Sequence, residues 1–181
     1  MELEDLQKFP KRKQIRLKGY DYSRAGYYFV TICVRNRSEI LGEIVGDAHP
    51  GVPHAHPGVP CNARKMLYSE FGVIVDEYIN NINTAYKDVY VDKYIVMPNH
   101  IHLILVLLNS DGTPGCASPT KAKLAKVINA FKSLTSRQVG FTIWQRSYHD
   151  HIIRDEHEYQ KIHNYIKENP QTWTEDCYYE S

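Results

Sequence analysis

Apolar and polar residues alternate along this chain in blocks that predict a short series of strands and helices. Gly26 to Val34 (Gly-Tyr-Tyr-Phe-Val-Thr-Ile-Cys-Val) is β-branched and aromatic, with no helical period, and predicts a strand. Ile40 to Val45 predicts its hairpin partner. From Lys65 to Tyr86, the residues Met66, Phe71, Val75, Tyr78, Ile79 and Ile82 recur at helical spacing and predict one amphipathic helix. Val89 to Met97 and Ile101 to Leu108 predict two strands broken at Pro98-Asn99. Pro119 to Val139 predicts a helix with Leu124, Val127, Ile128, Phe131 and Leu134 on one face and lysines on the other. Ser147 to Arg154 predicts a strand. Asp155 then opens a last helix, with Glu158 three residues on completing a D-x-x-E capping box, and Pro170 ends it. Antiparallel strands with helices stacked on one side give an α+β fold of ferredoxin-like type.

Three segments carry no such pattern. Residues 1–18 are a polar arm. Ala48-His-Pro-Gly-Val-Pro53 is repeated, after His54, as Ala55-His-Pro-Gly-Val-Pro60. Proline and glycine at that density exclude a helix or a central strand, so about residues 47–62 read as a surface insertion. His49, His54 and His56 within it raise a metal-tract reading, but tandem duplication of a short loop is the simpler account. Asp111 to Pro119 is a further loop.

Composition narrows the class. A length of 181 residues fits one domain, and a hydrophobic fraction of 43% is enough for a core. No apolar run approaches the roughly 18 residues of a membrane helix, and the acidic start, Met1-Glu2-Leu3-Glu4-Asp5, lacks a signal-peptide stretch. The four cysteines are scattered, with no C-x-x-C pair, which suggests reduced thiols in a cytoplasmic protein. Net charge is only +1, yet the basic residues are blocked. Lys8 to Lys18 holds six (among them Lys11, Arg12, Lys13 and Arg16), and Thr120 to Gly140 holds five (among them Lys121 and Lys123), with no acid in either segment. Such blocks are either phosphate-facing or simply solvated. The 14 tyrosines can stack on unpaired bases, although most aromatic residues serve packing.

The most informative stretch is Val96-Met97-Pro98-Asn99-His100-Ile101-His102. On a strand, His100 and His102 point the same way, and two imidazoles on one stiff face form a two-nitrogen site for a divalent metal. On the last helix Tyr165 and Asn169 stand four apart, on one face. If that face meets the histidine strand, Asn169 can offer a carbonyl oxygen to the same ion and Tyr165 lies near the phosphate it polarises. Each piece alone has a plainer account. The histidines can be a satisfied pair, as the second pair at His149 and His151 illustrates; Tyr165 can be a packing residue; Asn169 can be a helix cap.

The combination is what points to a family. Pro98-Asn99-His100-Ile101-His102 before an apolar strand, then Trp144-Gln-Arg-Ser-Tyr-His-Asp-His-Ile-Ile-Arg154, then Tyr165-Ile-x-x-Asn169-Pro170, resembles the single-tyrosine HUH transposases. These comprise bacterial insertion-sequence transposases and the REP-associated tyrosine transposases, and the second and third blocks are most similar to the latter. The resemblance runs from about Gly26 to Trp173. It implies an HUH endonuclease fold and His100 and His102 as metal ligands. Tyr165 would be the nucleophile, forming a 5′-phosphotyrosine with hairpin-forming single-stranded DNA and releasing a 3′-hydroxyl. Asn169 matches the position of a third ligand, which is glutamine in many insertion-sequence relatives. The ion would be magnesium or manganese, with manganese better suited to imidazole. Arg146 lies in the matched block, and His151 and Arg154 match recurrent family positions near the DNA. The Ala48–Pro60 repeat matches no part of the family pattern, and the family includes both monomers and homodimers.

Two other functions compete with a DNA strand transferase: a non-catalytic binder of structured single-stranded nucleic acid, and a metal-dependent phosphodiesterase that uses water. A covalent protein–DNA product separates the first from both.

Overall fold

The computed structural model describes residues 24–46, 64–108 and 123–179. The basic arm, the Pro/Gly insertion, the Asp111–Pro119 loop, Cys61 and Cys116 lie outside the described residues.

Four strands form one antiparallel sheet: β1 (Gly26–Cys33), β4 (Val89–Met97), β5 (His100–Leu107) and β6 (His149–Ile153), in the order β4-β5-β1-β6. Two further strands, β2 (Gly42–Val45) and β3 (Lys65–Tyr68), pair only with each other. Helices α1 (Glu70–Ala85), α2 (Lys123–Val139) and α3 (Glu156–Glu168) complete the chain. If the β2-β3 ribbon is set aside, the order of strands and helices and the sheet order are ferredoxin-like, as expected.

The structure departs from the sequence pattern at three places. The stretch Lys65–Tyr86 is not one helix. Its first four residues are β3, because Lys65 to Tyr68 find ladder partners in Val45 to Gly42. Ser69 then caps α1, its side chain accepting a hydrogen bond from Gly72 N at 3.1 Å. A Cβ at Gly72 would lie 2.0 Å from the Leu41 carbonyl oxygen, so glycine is what allows this close approach. Second, β2 is not the hairpin partner of β1, since both edges of β1 are occupied, by β5 and β6. A tight turn at Arg35–Arg37, with Asn36 and Arg37 at positive φ, carries the chain away from the sheet instead. Third, the helices are not stacked on one side. Val75, Ile79 and Ile82 of α1 and Leu124, Val127, Ile128 and Phe131 of α2 pack with Tyr28, Val30 and Ile32 in one core. Ile162 and Ile166 of α3 pack with Phe29, Ile95, Ile104 and Ile153 in a second. Alternation along β1 puts Tyr28, Val30 and Ile32 on one face and Tyr27, Phe29 and Thr31 on the other, so α3 covers the opposite face.

This third layer explains the long apolar run at His100–Leu107. Strand β5 is hydrogen-bonded on both edges, covered on both faces and buried at every position. Asp155 caps α3 as expected, accepting from Glu158 N at 2.8 Å. The reciprocal arm differs: the Glu158 carboxylate takes the Arg154 N–H at 2.8 Å rather than that of Asp155. Among the described residues no helix is long and apolar enough to cross a membrane.

Candidate active site

His100 and His102 point from β5 toward α3, and both are fully buried. Their Nε2 atoms lie 2.9 Å apart. The opposite ring nitrogens are held by neighbours: His100 Nδ1 lies 2.8 Å from Asn99 Oδ1, and His102 Nδ1 lies 2.8 Å from Thr31 Oγ1. Asn99 is itself fixed, because its Nδ2 donates to the Tyr178 carbonyl at 2.8 Å. Such outer partners turn the Nε2 lone pairs inward, the arrangement a metal-binding imidazole needs. Burial lowers the pKa of both rings, and the neighbouring His100 lowers that of His102 further, so both are held neutral.

Tyr165 reaches the histidine pair from α3, and Asn169, the residue that closes that helix, is joined to it through Asp176. The Tyr165 hydroxyl lies 3.1 Å from His102 Nε2, and Phe29 packs between strand and helix against both rings. Burial, then the carboxylate of Asp176, raises the Tyr165 pKa. Asn169 is fully buried, and its Oδ1 has no hydrogen-bond partner among the described residues. Its Nδ2 donates to Asp176 Oδ2 at 2.7 Å. That contact fixes the amide orientation, since the reverse would set two acceptor oxygens against each other.

Asp176 went unseen in the sequence. After α3 the chain turns through Trp173–Glu175 and returns over the histidines. Asp176 Oδ2 accepts from the Tyr165 hydroxyl at 3.0 Å, and its Oδ1 accepts from Tyr178 N at 2.8 Å. The Tyr178 ring lies 4.5 Å from that of His100, and the Arg37 guanidinium lies over the Tyr178 ring, 5.5 Å from its centroid. His100, His102 and Asp176 each offer a ligand atom within 4.8 Å of the others, so this cluster can hold a metal ion. No sequence signal marks Asp176, because it lies 74 residues or more from either histidine and in no periodic element. Asn99 is the motif's neighbour in the chain, whereas Thr31 meets His102 only through the pairing of β1 with β5.

The remaining predicted residues are dispersed. His151 and Arg154 are exposed at the β6–α3 junction, where His151 Nε2 contacts Glu158 Oε1. Arg146 is exposed ahead of β6, its carbonyl accepting from Lys132 Nζ at 3.0 Å. Lys123 is the first residue of α2. Lys11, Arg12, Lys13, Arg16 and Lys121 lie outside the described residues.

The family model described as "Transposase IS200 like" matches residues 58–169, a span that includes both histidines, Tyr165 and Asn169. The chain belongs to this transposase family. Asp176 lies beyond the matched span. An uncharacterised protein of Haemophilus influenzae Rd is 30% identical to this IS200-like transposase over 184 residues, covering 93% of each chain. A second protein of that organism, named "Putative REP-associated tyrosine transposase", is 28% identical over 161 residues, covering 83% of this chain and 73% of its own. Among solved structures, a REP-associated tyrosine transposase bound to a REP hairpin superimposes with a TM-score of 0.58 at 19% identity. The match covers 87% of this chain and 73% of that one, and shows a shared fold.

Proposed function

We propose that this IS200-like transposase cleaves and rejoins hairpin-forming single-stranded DNA through a phosphotyrosine at Tyr165, with a divalent metal. The observation that carries this reading is the contact of the Tyr165 hydroxyl with His102 Nε2 at 3.1 Å, in a site where Asn169 Oδ1 is buried and unpartnered. A buried orphan oxygen costs about 1–3 kcal/mol. Coordination of a cation offsets that cost, and two neutral imidazoles, an amide oxygen and a carboxylate are a donor set that fits Mn²⁺ or Mg²⁺. His100, His102 and Asn169 would hold the ion, with Asp176 beside them; when bound, it would neutralise phosphate charge and orient the scissile bond.

The chain's own residues supply the rest. Phe29 and the buried Ile166 hold Tyr165 over the histidine face. Asp176 accepts the phenol proton as the oxygen attacks phosphorus, which answers the raised pKa of Tyr165. The bond from phosphorus to the 3′-oxygen breaks, that oxygen takes a proton from water, and the 5′-phosphate stays on Tyr165. Rejoining reverses these transfers, with Asp176 returning the proton to the departing phenol. Tyr165 meets the histidines of its own chain, which supports a site complete in one protomer.

The test is incubation of the full chain and Mn²⁺ with end-labelled hairpin DNA from the flanks of its gene, followed by a denaturing gel. A covalent band that vanishes in Tyr165→Phe and His100→Ala is expected. Free cleaved product without an adduct would point to water as the nucleophile, and binding without any product to a non-catalytic binder.

A further inference from the structure

A cleft of about 240 Å³ opens at the amino-terminal end of α3, lined by Tyr27, Ile153, Arg154, Asp155, Glu156 and Tyr159. It lies on the same face of the sheet as the histidine pair, because Tyr27, Phe29 and Thr31 alternate along β1 and Thr31 touches His102. The rings of Tyr27 and Tyr159 meet edge to face, with centroids 5.7 Å apart. Tyr159 is fixed in place from two sides. Its hydroxyl donates to Asp92 Oδ2 at 2.7 Å, and its ring lies 5.9 Å from that of His163 one turn along α3. Asp92 is the extra residue of the bulge in β4 between Val91 and Lys93. A bulge re-aims a side chain, and this one aims a carboxylate at a tyrosine that forms the wall of an open cleft. Asp155 Oδ1 and Glu156 Oε1 are engaged within α3, by Glu158 N and Gln160. Arg154, Asp155 and Glu156 thus border one cleft with both a cation and carboxylates.

We propose that this cleft is a nucleobase pocket that takes one unpaired base of the bound strand and selects guanine. The inference rests on the strand-transfer reading for the identity of the polymer. Rigid aromatic rings are the usual platform for an unpaired base. Guanine pairs N1–H and N2–H donors with O6 and N7 acceptors, so its donor edge meets a carboxylate and its acceptors meet arginine. Tyr159 precedes Tyr165 by six residues, about 9 Å along the helix axis at 1.5 Å per residue. At about 3.4 Å per stacked nucleotide, the captured base lies within about three nucleotides of the phosphate at Tyr165. The pocket then sets the cut position by holding a base, while Tyr165 supplies the chemistry.

The test uses the full chain carrying Tyr165→Phe, so that DNA stays intact, and fluorescently labelled hairpin oligonucleotides from the gene's flanks. A single abasic nucleotide is walked through the unpaired flank and Kd is measured by anisotropy. One position is expected to lose about 10-fold in affinity, the loss typical of a stacked base. Tyr159→Ala should remove that penalty, and the exposed Arg154→Gln should erase the preference for guanine over adenine there. A flat abasic walk, or a penalty that Tyr159→Ala leaves unchanged, overturns the pocket, and a guanine preference that Arg154→Gln leaves unchanged overturns the selection. Wild-type protein run in parallel separates the two claims. A covalent adduct with a flat walk defeats the pocket alone. A pocket-dependent penalty without an adduct defeats the nucleophile alone, and absence of binding to any oligonucleotide defeats both.

Discussion

The hydroxyl of Tyr165 donates a hydrogen bond to Oδ2 of Asp176, 3.0 Å away, and the same oxygen accepts the side-chain amide of Asn169 at 2.7 Å. One carboxylate therefore ties together the proposed nucleophile and the proposed third ligand. Asp176→Asn should keep the acceptor for Tyr178 N but lose the negative charge. The expected result is Mn²⁺ affinity lower by about 10-fold or more by titration calorimetry, the usual scale for a group that supports a metal ligand. Adduct formation at saturating Mn²⁺ should slow as well, because the proton acceptor is gone. Unchanged values for both would remove Asp176 from the site.

Asn169 gives a different signature. Its buried Oδ1 is unpartnered among the described residues, so its removal relieves a desolvation cost in the metal-free protein. Asn169→Ala should weaken Mn²⁺ binding while changing the urea midpoint of the metal-free protein little. A large loss of metal-free stability, with affinity intact, would make Asn169 a structural cap only.

Ile166 is the buried residue of α3 and packs with Ile104 and Ile153. Ile166→Ala should cost about 2–4 kcal/mol of unfolding free energy, the range for a large-to-small core change. Adduct formation should fall even below the unfolding temperature, because α3 no longer holds Tyr165 against the sheet. Thermal unfolding and a single-turnover adduct assay, run together, read both effects.

The α1 face carries an alkaline sensitivity. Burial, then Asp76, pushes the Tyr68 phenol up to about 12, and burial raises Tyr94 beside it. A folded pKa above the unfolded value of about 10 means the unfolded chain loses protons first. The stabilisation is therefore full below pH 10 and is lost as pH rises from 10 toward 12. The urea midpoint should fall over that window, and less steeply in Tyr68→Phe; equal slopes for the two proteins would refute the assignment.

Local pattern decided a good part of this molecule. β-Branched and aromatic content located β1, β4 and β6 to within a few residues, because such side chains suit a pleated, packed surface. The Asp155 cap, the paired direction of His100 and His102, and the shared face of Tyr165 and Asn169 are all one-turn or two-residue geometry. What failed was whatever depends on a distant partner. Lys65–Tyr68 carries residues compatible with a helix, and only β2, some twenty residues earlier, makes it a strand. The side of the sheet that α3 covers is set by which face of β1 and β5 the first two helices have already taken. Asp176 belongs to the site for the same reason: its carboxylate reaches Tyr165 because the chain turns back at Trp173–Glu175, a long-range contact that no local spacing encodes. Local spacing dictates which side chains share a face; long-range packing dictates which faces meet, since burial of both sides of β5 is what brings α3 and the returning chain onto the two histidines.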